Sequence, residues 1–282
     1  QRQMCIRDSF LSRMLKGLVV GVANIIPGVS GGTMAVVMGI YDKLIGAVSD
    51  LRRDFKNSVI YLFPIGVGAL LGILLFSYLI EYLLANFTMP TNIFFLGLIL
   101  GSIPMIYRRA TREKLKKVSL LPFAASFAVM IVMTLLQTVT DAGSSLITTL
   151  DVGSAIRLFL SAVAAAACMI MPGISGSMIM VLLGVYTSVL TAISSFNIPV
   201  LIPVALGVLL GVFWGAKLID WCMKRFEQQT YFAILGLIAG SIMPILLNAG
   251  YTPGLHTLLS LIALIAGAAI AFWMSRMDGQ QG

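Results

Sequence analysis

Charge is what this sequence has least of. Only 11% of its 282 residues are Asp, Glu, Lys or Arg, against roughly 25% in soluble domains, and the mean hydropathy is +1.00. A water-soluble fold is excluded. Histidine occurs once, and the three cysteines, Cys5, Cys168 and Cys222, stand far apart with no CxxC pair, so a His/Cys metal site is not expected. The apolar stretches run 16 to 26 residues, too long and too uniform for the alternating strands of about ten residues that build a membrane barrel. Spanning segments use up most of the chain, which leaves residues 1–282 as a single membrane domain. The net charge of +8 resides in basic residues between the apolar segments. It reads as cytoplasmic-loop bias rather than as a nucleic-acid surface.

Residues 1–9, QRQMCIRDS, are unlike everything after them and are read as a non-native or disordered lead, outside the fold argument. The apolar stretch that follows is not expected to be a cleaved signal peptide, because it runs into a motif that recurs later in the chain.

That recurrence organises the sequence. Residues 27–41 read PGVSGGTMAVVMGIY and residues 172–186 read PGISGSMIMVLLGVY, an offset of 145. The likeness resumes at an offset of 139: Pro64 with Pro203, Gly68 and Gly72 with Gly207 and Gly211, Glu81 with Asp220, LGLILGSI (96–103) with LGLIAGSI (235–242). Two blocks in the same order mark a tandem duplication, with repeat one at about 10–140 and repeat two at about 153–275. Each repeat opens with a pair of short apolar arms around a Pro-Gly-x-Ser-Gly tip, at 10–26 and 33–48, then at 155–171 and 178–193. Three longer segments follow in each, at 59–84, 92–107 and 119–139, then at 199–219, 231–247 and 256–274.

The predicted fold is therefore an all-α integral membrane protein of two inverted-topology repeats. Each is a re-entrant (or short spanning) helix hairpin plus three transmembrane helices. Arms of 16 or 17 residues lie at the lower limit for crossing, and broken backbone is tolerated at mid-bilayer only inside protein or beside a wet cavity. Three or five crossings per repeat are both odd, so the second repeat inserts upside down. Eighteen of the nineteen Lys and Arg residues then fall on the inner side, and only Arg157 lies outside. Both termini are expected to be cytoplasmic.

Inverted repeats with broken helices are the architecture of secondary transporters, whose sites lie near the midplane at the repeat interface. In the first tip Pro27 ends one arm, Gly28 permits the turn, and Ser30 or Thr33 is placed to cap the next arm. Gly31 and Gly32 leave their N–H groups unobstructed there, an arrangement that attracts phosphate or carboxylate. Pro172, Gly173, Ser175, Gly176 and Ser177 repeat the device from the other side. A cation held by the carbonyl end of the first arm is the alternative. Gly39, Gly72, Gly97 and Gly101 are read as close-packing residues.

NIIPGVSGGTMAVVMGIYDKLI (24–45) and CMIMPGISGSMIMVLLGVY (168–186) closely resemble the two signature stretches of the PopT-type polyprenyl-phosphate transporters, long known only as a domain of unknown function. The resemblance covers nearly the whole chain from about residue 13. It implies a flippase of the plasma or inner membrane. Such a protein returns undecaprenyl phosphate from the outer to the cytoplasmic leaflet for reuse in peptidoglycan and other envelope synthesis. The partners it implies are the polyprenyl phosphate and the membrane lipids, and it says nothing of oligomeric state. A phosphate cannot cross about 30 Å of hydrocarbon unaided, so the tips would shelter it while the tail stays in lipid.

Several other residues carry two readings each. Arg157 either captures phosphate from the outer leaflet or snorkels to the interface. Glu81 and Asp220, at matching positions, either couple transport to a proton or sodium gradient or are interfacial acids, with Asp220 paired to Lys217 and Lys224. Asp42 and Lys43, which face Thr187 and Ser188 in the other repeat, either receive phosphate on the inner side or anchor a helix end. Asn24, matched by Met169, is a candidate lining residue of one half only. No cofactor is expected. The run RRATREKLKK (108–117) sets orientation at the anionic inner surface.

Of two rival functions, one is set aside on residues and the other stays open as the alternative. Integral-membrane polyprenyl-pyrophosphate phosphatases share the Pro-Gly-x-Ser tip but add an Arg and a Glu-x-x-x-Glu helix. Here Gly31 and Gly176 follow the serines, and no Glu-x-x-x-Glu occurs. Hydrolysis then lacks a general base and metal ligands, so no enzyme is expected. A small-anion carrier or channel would use the same tips and differs in enclosing its path.

Overall fold

Long runs without charge decide where the helices form, since backbone polar groups inside hydrocarbon must pair within their own segment. The computed structural model describes residues 10–25, 30–111, 117–139, 147, 150–250 and 253–279. Pro27 and Gly28 of the first tip and the cysteine at position 5 lie outside them. Among the described residues all regular structure is helical: α1 (Phe10–Ile25), α2 (Gly31–Val37), α3 (Tyr41–Ser49), α4 (Phe55–Asn86), α5 (Thr88–Ala110), α6 (Leu120–Val139), α7 (Val152–Met169), α8 (Gly176–Leu182), α9 (Tyr186–Ser194), α10 (Ile198–Arg225), α11 (Glu227–Gly240), α12 (Ile242–Ala249) and α13 (Leu255–Gly279).

Six of these units are long and apolar enough to cross a membrane: α4, α5, α7, α10, α11 continued by α12, and α13. They make this a multi-pass membrane protein. One of the six is a segment expected only as a short arm. The first arm of the second hairpin, α7, is long enough to count, and α6, Leu120–Val139, lies where the apolar run 119–139 is expected. At the start of α7 Asp151 takes the Ser154 hydroxyl and the Ser154 and Gly153 N–H groups. These bonds, the hydroxyl first, hold its carboxyl below the usual carboxylate range.

The two halves carry the same succession of helices and pack alike. α1 lies against α4 and α7 against α10. Glycine brings both pairs together: a Cβ on Gly72 would stand 2.3 Å from the Leu18 carbonyl oxygen, and one on Gly211 would stand 2.4 Å from that of Val163. The last helices are exchanged, with α13 packed on α5 and α6 on α11. Gly97 and Gly101 meet the Leu264 and Ala268 carbonyls at 2.3 and 2.4 Å in the same sense. Close packing at Gly72, Gly97 and Gly101 is thus what the structure has. α5 and the α11–α12 span form the centre, each 61% buried over its apolar window, against 17% for α13. The exposed Leu74, Leu75 and Tyr78 of α4 belong to the lipid-facing shell.

The second arms depart from expectation. Residues 33–48 and 178–193 are not continuous helices, because each breaks at a glycine in the left-handed region, Gly39 and Gly184, both at φ +67°. A side chain at that φ costs about 1–2 kcal/mol. Gly39 is therefore a hinge glycine, and the packing role expected of it is corrected. α8 and α9 meet at 118° across this break.

Candidate substrate site at the hairpin tips

The two tips touch. Ser30 is the N-cap of α2 and takes the Thr33 N–H at 3.1 Å, with the two hydroxyls 3.2 Å apart. Both are buried, at 3% and 1% exposure. From the other half, the Gly173 N–H donates to Thr33 Oγ1 at 2.7 Å and lies 3.2 Å from Ser30 Oγ. Gly173 is held at φ +90° to point its amide there, beside a buried Pro172. Gly32 lies close against the other half, where a Cβ would stand 3.1 Å from the Ile170 carbonyl oxygen. A further tie crosses the halves where the Tyr41 hydroxyl donates to the Ile170 carbonyl at 3.1 Å.

Tip one is also braced from within. Asn24 Oδ1 accepts the Gly31 N–H at 3.1 Å while its amide donates to the Val20 carbonyl. The Gly31 N–H is therefore occupied, which corrects the reading that both glycine amides lie unobstructed. Asn24 is a positioning residue for this tip.

Tip two is built differently. Ser175 takes no N–H of its own helix, and its hydroxyl pairs at 2.7 Å with that of Ser177, which is exposed. Gly176 faces the Met169 sulfur, 3.3 Å from an added Cβ, where Gly31 faces Asn24. Tyr186, the mate of Tyr41, is 37% exposed where Tyr41 is 3% exposed.

The charged residues sort as follows. Asp42 Oδ2 accepts from Arg109 Nη1 and from the Tyr231 hydroxyl, both at 2.6 Å. It thereby ties α3 to α5 and to α11. Its Oδ1 is buried and takes no hydrogen bond. Lys43 beside it is exposed. Arg157 donates to the Leu183 carbonyl at 3.1 Å, with that of Gly184 at 3.4 Å, and so holds the broken end of α8. Asp220 pairs with Lys224 at 2.6 Å and takes the Ser49 hydroxyl at 3.1 Å. Lys217 stands over the Phe213 ring at 4.7 Å, so only the Lys224 half of the expected pairing forms. Glu81 lies on the exposed face of α4. Among the described residues no three His, Cys, Asp or Glu side chains come together as a metal site would require.

With this geometry in place, comparison with known proteins is decisive. Residues 20–253 match the undecaprenyl phosphate translocase-like family. The chain belongs to that family. It is 32% identical over 281 residues to a polyprenyl-phosphate transporter of Staphylococcus aureus, covering 95% of this chain and 96% of that protein. It is 30% identical over 249 residues to a polyprenyl-phosphate transporter of Vibrio cholerae, covering 83% and 77%. No solved structure matches it.

Sequence reasoning about this family member missed three residues of the centre. Arg109 was legible only as one of a basic run, and Tyr231 carried no signal at all. Tyr41 did carry one, since it recurs as Tyr186 at the end of both tip motifs.

Proposed function

We propose that this chain moves a polyprenyl phosphate, undecaprenyl phosphate in the envelope-recycling reading, from the outer to the cytoplasmic leaflet of the cell membrane. The carrying observation is the hydrogen-bonded contact of two tips from duplicated halves, Gly173 N–H on Ser30 and Thr33, in a member of this transporter family. A phosphate drawn into hydrocarbon needs fixed donors in place of its water. Ser175 and Ser177 offer hydroxyls, and the Gly173 amide becomes a third donor when it leaves Thr33. Opening and closing of the tip-to-tip contact then gates the path.

Inverted insertion of the halves is supported by the exchanged packing of α13 on α5 and α6 on α11, together with the one-sided basic residues that put both termini in the cytoplasm. Asp42 acts as an anchor through Arg109 and Tyr231, and Lys43 remains exposed for inner-side release. Arg157 braces the α8–α9 break first and meets phosphate second. Asp220 is an anchored interfacial acid, which leaves Glu81 as the coupling candidate for a proton or sodium gradient.

The test is transfer of labelled undecaprenyl phosphate between leaflets of proteoliposomes, with Ser30→Ala/Ser175→Ala as control. The expected result is transfer that collapses in the double variant. Chloride or phosphate flux without lipid transfer under any ion gradient would replace this reading with a small-anion carrier.

A further inference from the structure

Where α12 begins, the seam between α6 and its neighbour opens. Below that point α6 is drawn tightly to α11. Ser126 Oγ donates to the Ala233 carbonyl at 2.8 Å. A Cβ on Gly236 would stand 2.3 Å from the Phe123 carbonyl oxygen, and one on Gly240 would stand 2.5 Å from the Met130 Cβ. α11 ends at Gly240, and α12, with Pro244 in its first turn, packs chiefly on α5 instead. The matching helix α5 runs unbroken through Ser102, the mate of Ser241. What remains between α6 and α12 is a groove of about 500 Å³ lined by apolar side chains, among them Phe127, Ile131, Ile242, Met243 and Leu246.

The groove backs onto tip two. Met130, next to Ile131, and Leu237, two residues before Ala239 of the groove wall, form one buried cluster with Ile174 and Ile179 of the second hairpin. Methionine at this partition is an adaptable filler. A second hollow, of about 420 Å³, is lined by α4 alone and reaches no tip.

We propose that the α6–α12 groove seats the isoprenoid chain of the substrate, whose phosphate is handled at tip two. This rests on the polyprenyl-phosphate reading above. A chain joined to a phosphate at the Ser175–Ser177 hydroxyls must leave sideways into hydrocarbon, and the groove and that tip flank the same pair of helices, α6 and α11. It is the lateral exit from the site.

The experiment uses the full chain in proteoliposomes with two photoprobes. One is a polyprenyl phosphate carrying benzophenone on its tail, the other a phosphatidylglycerol carrying it on an acyl chain. Labelling of residues 242–247 by the polyprenyl probe, competed away by unlabelled polyprenyl phosphate, is expected. Met243→Trp and Ile131→Trp, which fill the groove from opposite walls, should each slow long-chain transfer by about tenfold, the loss of roughly 1.4 kcal/mol of transition-state contact. Both should leave transfer of a two-isoprene phosphate unchanged. Equal, uncompeted labelling by the phospholipid probe overturns the proposal, as does equal slowing of long and short substrates. Competed labelling in a protein that transfers neither lipid would uphold the groove and refute the transport reading.

Discussion

Tip one and tip two share one motif and are bonded differently in this structure. At tip one every hydroxyl is buried and engaged: Ser30 and Thr33 hold their own helix start and the Gly173 amide, Asn24 holds Gly31, and Tyr41 holds Ile170. At tip two Ser175 and Ser177 hold only each other, and Tyr186 is exposed. The difference tracks four replacements at matched positions, Asn24 by Met169, Gly32 by Ser177, Thr33 by Met178 and Asp42 by Thr187. Methionine in place of Asn24 and of Thr33 cannot make the hydrogen bonds that pin half one, and Ser177 brings the hydroxyl with which Ser175 pairs. The two halves thus differ, one braced at its tip and one whose tip hydroxyls are bonded to each other.

The comparison breaks most directly at Gly173, where the halves meet. Gly173→Ala combines φ +90° with a Cβ 2.9 Å from the Leu237 carbonyl oxygen. We expect a loss of about 3 kcal/mol or more, read as a lowered thermal midpoint in detergent, and loss of transfer with it.

The next test separates the tips. Thr33→Val removes the better acceptor of the Gly173 amide, and a buried donor left short of a partner costs about 1–3 kcal/mol. Ser175→Ala at tip two should move the same midpoint by no more than about 0.5 kcal/mol, while slowing lipid transfer. Equal destabilisation by the two substitutions would mean that the tips are alike in the working protein.

The smallest effect sharpens the contrast between the tyrosines. Tyr41→Phe deletes one hydrogen bond, worth about 0.5–1.5 kcal/mol, and leaves the Ile170 carbonyl without it. Tyr186→Phe should be neutral in the same denaturation measurement.

Much of this was legible beforehand. The apolar runs placed α4, α5, α10 and α13 to within a few residues, because a helix in hydrocarbon must extend as far as its apolar surface does. The arm breaks were hidden, although Gly39 and Gly184 recur at the same place. A glycine between apolar residues reads equally well as a packing contact or as a left-handed turn, and only φ separates them. Asp42 showed as a symmetry-breaking acid, but its partners stand 67 and 189 residues away, beyond the reach of any local pattern.

By itself the sequence determined the apolar spans of a membrane protein, the recurrence of its motifs and the clustering of basic residues between the spans, since composition, period and repetition are properties of neighbouring residues. Which tip closes on which was decided only in three dimensions. The Gly173 amide finds Thr33 across 140 positions, and a hydrogen bond of that span exists only once the fold has brought the start of α2 against the turn before α8.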